Sequence, residues 1–354
     1  MEMSLSHLRV ERPMSTIIRF GLDLAKNTFS ICGVDAHGKV VLRKMVPRSQ
    51  LLVFFSQQVP AVVAMEAGSG AHHWARLLRQ MGHDARILDP RLVAPYRRQG
   101  RSGKNDRNDA EAICEAAGRP NMHFVPVKSV EQQAQLLIHR VRASLVKEHT
   151  RLINQLRGSL AEFGIVSGKG VNHFKQEWAE IRRRHHEAVP GMAWALLDPL
   201  YAEVARVHQK LLELERQIKA FVRKDEHAAR LMQVSGIGAI TASAIVCTIG
   251  NGRTFRNGRQ FAAWLGLTPR QSSTGGVSRL GHITKRGDTY LRTLLVHGAR
   301  SDLTRTPKRT DQKSRWAEAL KQKKGWNQAA VALANKHARI AWALLAKEQS
   351  YQPA

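Results

Sequence analysis

Acidic residues are scarce in this chain: 28 Asp and Glu stand against 56 Lys and Arg, which leaves a formal net charge of +28 over 354 residues. That imbalance points to a polyanionic partner, nucleic acid before any other. Cysteine is scarcer still, and Cys32, Cys114 and Cys247 are too few and too widely spaced for a disulfide framework or a CxxC zinc site. They read as buried small hydrophobes in an intracellular protein. No run reaches 18 uncharged apolar residues; the longest candidate, around Ile237 to Ile249, is short and interrupted by Gly, Ser and Thr. A membrane span is not expected. The segment MEMSLSHLRVERPM lacks a signal-peptide core, and the expected location is the cytoplasm, at the nucleoid of a bacterium. There is no GxxxxGK[ST] sequence, no repeat of 20 to 50 residues and no long low-complexity tract, so neither ATP hydrolysis nor a solenoid is indicated.

What is present is enough for packed cores, because 43% of the residues are hydrophobic, and the length suits two or three domains. Residues 13–127 read as α/β: strands over Ile17 to Asp23, Thr28 to Val34 and Val40 to Val46, a turn at Asp35-Ala36-His37-Gly38, then helices and strands in alternation. A mixed sheet covered on both faces is expected. Residues 128–228 read as a helical, coiled-coil connector. Ile138, Val141, Leu145, Leu152, Leu156 and Phe163 form one stripe, with His149 at its polar step. In a second helix Asp198 would cap, Pro199 would sit in the first turn, and Val204, Val207, Leu211, Leu214, Ile218 and Phe221 step by threes and fours. The pair could form within a chain or between chains, and the regular seam favours self-association. Gly164 to Pro190 reads as polar and exposed. Residues 229–354 read as a mainly helical domain with a glycine-rich basic loop from Pro269 to Asp288 and a final helix near Asn327 to Lys347.

In a protein so poor in acids, their positions carry information. Asp23 ends the first strand and Glu66 the fourth, while Asp106 and Asp109 lie three apart at the start of a helical stretch and so share one face. Four carboxylates drawn together need a cation, and hard oxygen donors suit Mg²⁺. Two such ions can activate an attacking oxygen and stabilise a leaving one at a phosphodiester. The bland alternative is that the helix pair only complements a helix dipole and that Asp23 and Glu66 are turn residues.

The words around these residues narrow the choice. Gly-Leu-Asp-Leu-Ala-Lys-Asn, Ala-Met-Glu-Ala and Lys-Asn-Asp-Arg-Asn-Asp-Ala-Glu resemble, in this order, the signatures of the DEDD transposases of insertion sequences, the family called IS one-ten, and its IS eleven-eleven branch in particular. The resemblance implies a RuvC-like, RNase H-like N-terminal domain with Asp23, Glu66, Asp106 and Asp109 as its Mg²⁺-binding tetrad.

Within the basic loop, hydroxyls, glycines and cations could cradle a phosphate, or a hydroxyl could attack one if activated. The run from Gly266 through Arg292 is similar to the C-terminal transposase domain of the same family, in which a serine before the glycines is the nucleophile. Mapped here, that serine is Ser273, with Ser272 as fallback and Thr274 in the second hydroxyl position. Val277 stands where many relatives carry Lys, which leaves Arg279, Lys285 and Arg286 as candidate phosphate contacts, beside Arg270 and the glycines Gly275 and Gly276. Upstream, Gly236 and Gly238 in Ser235-Gly236-Ile237-Gly238 look like a helix-hairpin-helix turn with amides for a phosphate backbone. His72-His73 and His185-His186 lack ligand partners at metal spacing and read as ordinary histidines, and Trp74 and Trp264 as core.

The resemblance thus implies a transposase that cleaves and exchanges DNA strands with Mg²⁺ through a phosphoserine link. Its partners would be donor and target DNA, a structured noncoding guide RNA and further copies of the chain, as dimer or tetramer. Two rivals are a RuvC-like nuclease that uses water and a non-enzymatic nucleic-acid-binding protein.

Overall fold

The computed structural model describes residues 16–97, 106–120, 122–168 and 170–352, without the side chains of residues 106, 107, 171, 172 and 308; the N-terminal segment discussed above lies outside them. The chain is mixed α/β and divides into two compact units, Met1–Ser129 and Val130–Ala354.

The first unit is built on a six-stranded sheet: β1 (Arg19–Asp23), β2 (Thr28–Val34), β3 (Val40–Pro47), β4 (Val62–Glu66), β5 (Asp84–Leu88) and β6 (Phe124–Val125), ordered β3-β2-β1-β4-β5-β6. The first three strands are antiparallel, β4 and β5 run parallel to β1, and β6 returns antiparallel. This order agrees with the RNase H-like arrangement expected from the resemblance. The Asp35 to Gly38 turn forms as read: Asp35 Oδ1 accepts from the amides of His37 and Lys39, and Gly38 supplies φ +79°. Among the described residues four α-helices accompany the sheet: α1 (Leu51–Ser56), α2 (Ala71–Gln80), α3 (Pro90–Val93) and α4 (Asp106–Ala117).

The pleat decides what each sheet face receives. Phe20 and Leu22 of β1 and Val63 and Met65 of β4 enter one core with Phe55, Trp74 and Leu78. The alternate residues look the other way: Ala64 packs against Ala112, Ile113 and Ala116 of α4. Gly21 lies so close to α4 that a β-carbon there would collide with the Ala110 carbonyl oxygen. Asp23 and Glu66 continue this second face. A glycine in Gly21-Leu22-Asp23 is therefore what lets α4 lie directly on the strand that carries Asp23.

Among the described residues the second unit holds nine α-helices: α5 (Val130–Ala161), α6 (Val171–Arg184), α7 (Gly191–Lys224), α8 (Glu226–Leu231), α9 (Ala239–Ile249), α10 (Gly258–Trp264), α11 (Thr289–Leu303), α12 (Gln312–Lys324) and α13 (Trp326–Ala346). A two-stranded ribbon, β7 (Pro269–Thr274) and β8 (Val277–Ile283), lies between α10 and α11. α5 and α7 pair within the chain. Arg142 binds Glu215 while His149 stacks on His208, so the partner's number falls as α5 advances and the pair is antiparallel. Their core joins Leu152, Leu156 and Leu160 to Val204, Val207 and Leu211. At the other end of the pair, His139 of α5 meets Tyr290 Oη of α11 and Ser243 Oγ of α9. Burial, and after it Arg142, pushes His139 down to about 4, so the ring is neutral in this contact.

Four sequence readings need correction here. Val141 and Phe163 are exposed, and the buried line of α5 instead starts at His139 and resumes from His149 to Leu160. The second connector helix begins at Gly191, so Pro199 is interior and Asp198 caps nothing; Asp198 accepts from Arg182 Nε instead. Gly164 to Pro190 is not a polar excursion: α6 buries Phe174, Trp178 and Ile181, at spacings of four and three that its flanking charges disguise. The Pro269 to Asp288 loop is largely a hairpin, described below.

Candidate active site

Strand ends and one helix set the acidic site. Leu22 is opposite Met65 across the parallel β1/β4 pair, which puts Asp23 and Glu66 at the same level where both strands end. α4, seated on that face by Gly21, adds Asp109, whose side chain is 11% exposed. A cation already spans two of these acids. Arg97 Nη2 lies 2.7 Å from Glu66 Oε1, and Arg97 Nε lies 2.8 Å from Asp109 Oδ1. The guanidinium is positioned by a short turn: Asp89 caps α3 by accepting from the Arg91 amide, and Arg97 follows in extended backbone, its amide bonded to the Ala94 carbonyl. Hydrogen bonds from Arg91 to Asp89 outweigh burial and hold that carboxyl below its ordinary range, so the cap is charged.

Among the described residues, no group of three or more His, Cys, Asp or Glu side chains converges at metal-binding distance. Asp23, Glu66 and Asp109 share one sheet face, and the side chain of Asp106 lies outside the described residues although its backbone opens α4. The donor chemistry is nonetheless all carboxylate, and a positive group sits between Glu66 and Asp109. Both fit a hard cation. Arg97 escaped the sequence reading because Tyr96-Arg97-Arg98 looks like one more basic run.

The second candidate site is the β7/β8 hairpin. Gly275 and Gly276 carry φ +58° and +76°, the paired left-handed geometry of a two-residue hairpin turn, which glycine adopts without cost to a side chain. Ser273 pairs with Ser278 and Ser272 with Arg279. Paired residues share a face, so Ser273 lies with Gln271 and Ser278, and Ser272 lies with Arg279 on the other side. Gln271 Nε2 donates to Ser273 Oγ at 2.8 Å. An amide donor fixes this hydroxyl but takes no proton from it. The base of the hairpin is tightly built: Lys285 N donates to Gly266 O, and Arg292 Nη1 donates to the carbonyls of Leu265 and Arg286. β-Carbons at Gly266 and Gly287 would strike the Arg286 and Trp264 carbonyls. Arg270, Arg279, Lys285 and Arg286 are all exposed.

Gly236 and Gly238 connect α8 to α9, and Gly238 is the exposed N-cap of α9. Gly236, at φ +93°, packs inward against His337 and the Gly298 carbonyl. Beside it lies a buried ionic cluster that sequence reasoning missed. Asp302 Oδ1 accepts from Ser235 Oγ at 2.5 Å and Arg309 Nη1 at 2.6 Å; Oδ2 accepts from Lys313 Nζ at 2.8 Å and lies 3.2 Å from His337 Nε2. Burial raises the Asp302 carboxyl, but hydrogen bonds from His337, Lys313 and Ser235 outweigh it and hold the group well below the carboxylate range. No sequence signal singles out Asp302, one Asp in an otherwise ordinary amphipathic helix. The remaining readings are simpler. All three cysteines are free and buried, Trp74 is core, and no helix of the described residues is long and apolar enough to cross a membrane.

Two family models match in sequence order. One, for the DEDD transposases of IS110, covers residues 20–165, and the other, described as the transposase IS116/IS110/IS902 family, covers residues 228–315. A probable family 20 transposase of Pseudomonas aeruginosa is 50% identical over 336 residues, 95% of this chain and 98% of the relative. The transposase for insertion sequence element IS1111A of Coxiella burnetii is 39% identical over 96% of this chain and 93% of its own length. The transposase for IS1328 of Yersinia enterocolitica is 41% identical over 93% of this chain and 97% of its own.

Proposed function

Because this chain belongs to the IS110 family of transposases, and is therefore an enzyme acting on DNA, we propose that it divides strand exchange between the carboxylate face of its first unit and the serine hairpin of its second. The observation that carries this reading is the arrival of Asp109, on α4, at the sheet face where Asp23 and Glu66 end neighbouring strands. Asp23, Glu66, Asp109 and Asp106 would hold Mg²⁺. When bound, such ions activate the attacking oxygen and stabilise the leaving one.

Ser273 Oγ then attacks a DNA phosphorus. The new O–P bond replaces a P–O bond of the backbone, the serine proton is given up, and the departing strand end leaves as an alcohol after taking a proton. A phosphoserine link stores the bond energy, so the exchange needs no ATP. Gln271 cannot accept the proton, and among the described residues no carboxylate or histidine bonds to Ser273. This supports assembly with the carboxylate site, in a dimer or tetramer where the two come from one chain or from two. Gly236, Gly238, Arg270, Gly275, Gly276, Arg279, Lys285 and Arg286 would hold phosphates. The α5/α7 seam is buried within the chain, so a dimer or tetramer would use another surface. A noncoding guide RNA belongs to the same reading; base pairing would supply specificity that exposed cations cannot.

Denaturation-resistant protein–DNA adducts test it. With Mg²⁺ and element-end DNA, Ser272→Ala should retain the adduct and Ser273→Ala should lose it by at least about a hundredfold, as expected for removal of a nucleophile. Cleavage that persists in Ser273→Ala without an adduct would instead favour the water-using nuclease.

A further inference from the structure

Arg97 is the one cation that two acids of the candidate metal face share among the described residues. Its guanidinium donates a hydrogen bond from Nη2 to Glu66 and lies in ion-pair contact through Nε with Asp109, a planar span between two acids that the single ammonium of a lysine could not reproduce. The three groups are largely shielded, with side-chain exposures of 33% for Arg97, 20% for Glu66 and 11% for Asp109. Charges so placed are weakly screened, and three carboxylates on one sheet face would repel one another without a cation. The capped α3 turn delivers Arg97 to this place by backbone geometry.

We propose that Arg97 is the resident counter-cation of the carboxylate site, which occupies Glu66 and Asp109 until a divalent ion displaces it. This rests on the metal reading given above. Ion and guanidinium then compete for the same oxygens. The site is held in shape while empty of metal, and it loads only at ion concentrations high enough to expel the arginine. Arg97 thereby sets the metal threshold, a positioning role distinct from that of the ligands.

The test is Mn²⁺ binding to the full chain without DNA, read from the electron paramagnetic resonance of free Mn²⁺, with thermal melts alongside. Arg97→Gln should bind Mn²⁺ about tenfold more tightly than the wild type, the equivalent of losing one competing charge-assisted contact. Its metal-free form should melt lower and gain more from added Mn²⁺. Arg97→Lys, which can satisfy one acid at a time, should fall between the two, and it carries the comparison if Arg97→Gln does not fold. Asp109→Asn and Asp23→Asn should weaken Mn²⁺ binding in either background. Equal or weaker binding in both Arg97 variants, with binding still lost in Asp109→Asn, overturns the counter-cation role and leaves the metal site standing. If neither the wild type nor the Arg97 variants bind Mn²⁺, the metal reading falls and takes this inference with it.

Discussion

Asp302 shows how a single residue can organise a domain without touching substrate. It is completely buried, yet it accepts from Ser235 in the turn before α9, from Arg309 and Lys313 ahead of and within α12, and it meets His337 of α13. A buried acid with two cations is costly to form and costlier to break, because removing one partner strands the others. Asp302→Asn should therefore lower unfolding stability at pH 7 by about 3–5 kcal/mol. Its folded carboxyl titrates below the unfolded one, so the stabilisation is complete above the ordinary carboxyl range and is lost as pH falls toward the folded value. Urea unfolding of the two proteins should show a constant gap from pH 7 to about 5, narrowing below about pH 4 by roughly 1.4 kcal/mol per pH unit. A gap of unchanged size at pH 3 would mean that the charge of Asp302 is not what stabilises the cluster. At this scale Asp23 and Glu66 can be singled out from the sequence by distinctive words at strand ends, and Asp106 and Asp109 by one at a helix start. Asp302 and Arg97 cannot, since each acquires its meaning from partners on other elements, Ser235 and His337 for one and Glu66 and Asp109 for the other.

Elements differ in how openly the sequence announces them. β2 matches its reading from Thr28 to Val34, and α13 lies within a residue of its own, because apolar alternation or helical spacing is unbroken there. α6 was hidden: Arg182, Arg183 and Arg184 dominate its end, while its buried side is only Phe174, Trp178 and Ile181. Trp178 stacks on Tyr201 at 4.4 Å and meets Trp194 edge-on, so α6 is fastened to α7 by aromatic contact. Trp178→Ala should cost about 3–5 kcal/mol in denaturant unfolding, as for other buried aromatics. A loss under about 1 kcal/mol would mean that α6 is an appendage after all. The serine hairpin was hidden for a different reason. Both of its faces are exposed from Pro269 to Gly281, so there is no apolar alternation to betray a strand, and only the Gly275-Gly276 turn marks it.

Over the whole molecule the scarcity of acid is uneven. Residues 1–127 carry 18 basic and 11 acidic residues, residues 128–230 carry 18 and 12, and residues 231–354 carry 20 and 5. The structure separates cations already engaged from those left for a partner. In the connector helices Arg151, Arg183 and Arg206 each pair with a Glu one turn away, and in the terminal region Arg309 and Lys313 are committed to Asp302. Deleting residues 301–354 could not measure the grip of this region, because α12 and α13 supply its core through Ala317, Leu333, Ala338 and Leu345. The exposed hairpin cations Arg270, Arg279, Lys285 and Arg286 can be neutralised without touching that core. Each phosphate contact contributes about 0.9 to the slope of log K against log salt on duplex DNA. Changing all four to Gln should therefore flatten the slope by about 3–4, whereas changing Arg151, Arg183 and Arg206 to Gln should leave it nearly unaltered. Fluorescence anisotropy with duplex DNA between 50 and 300 mM salt, or roughly that range, measures both slopes. Equal slopes in the two variants would show that net charge alone, and not the hairpin, holds the DNA.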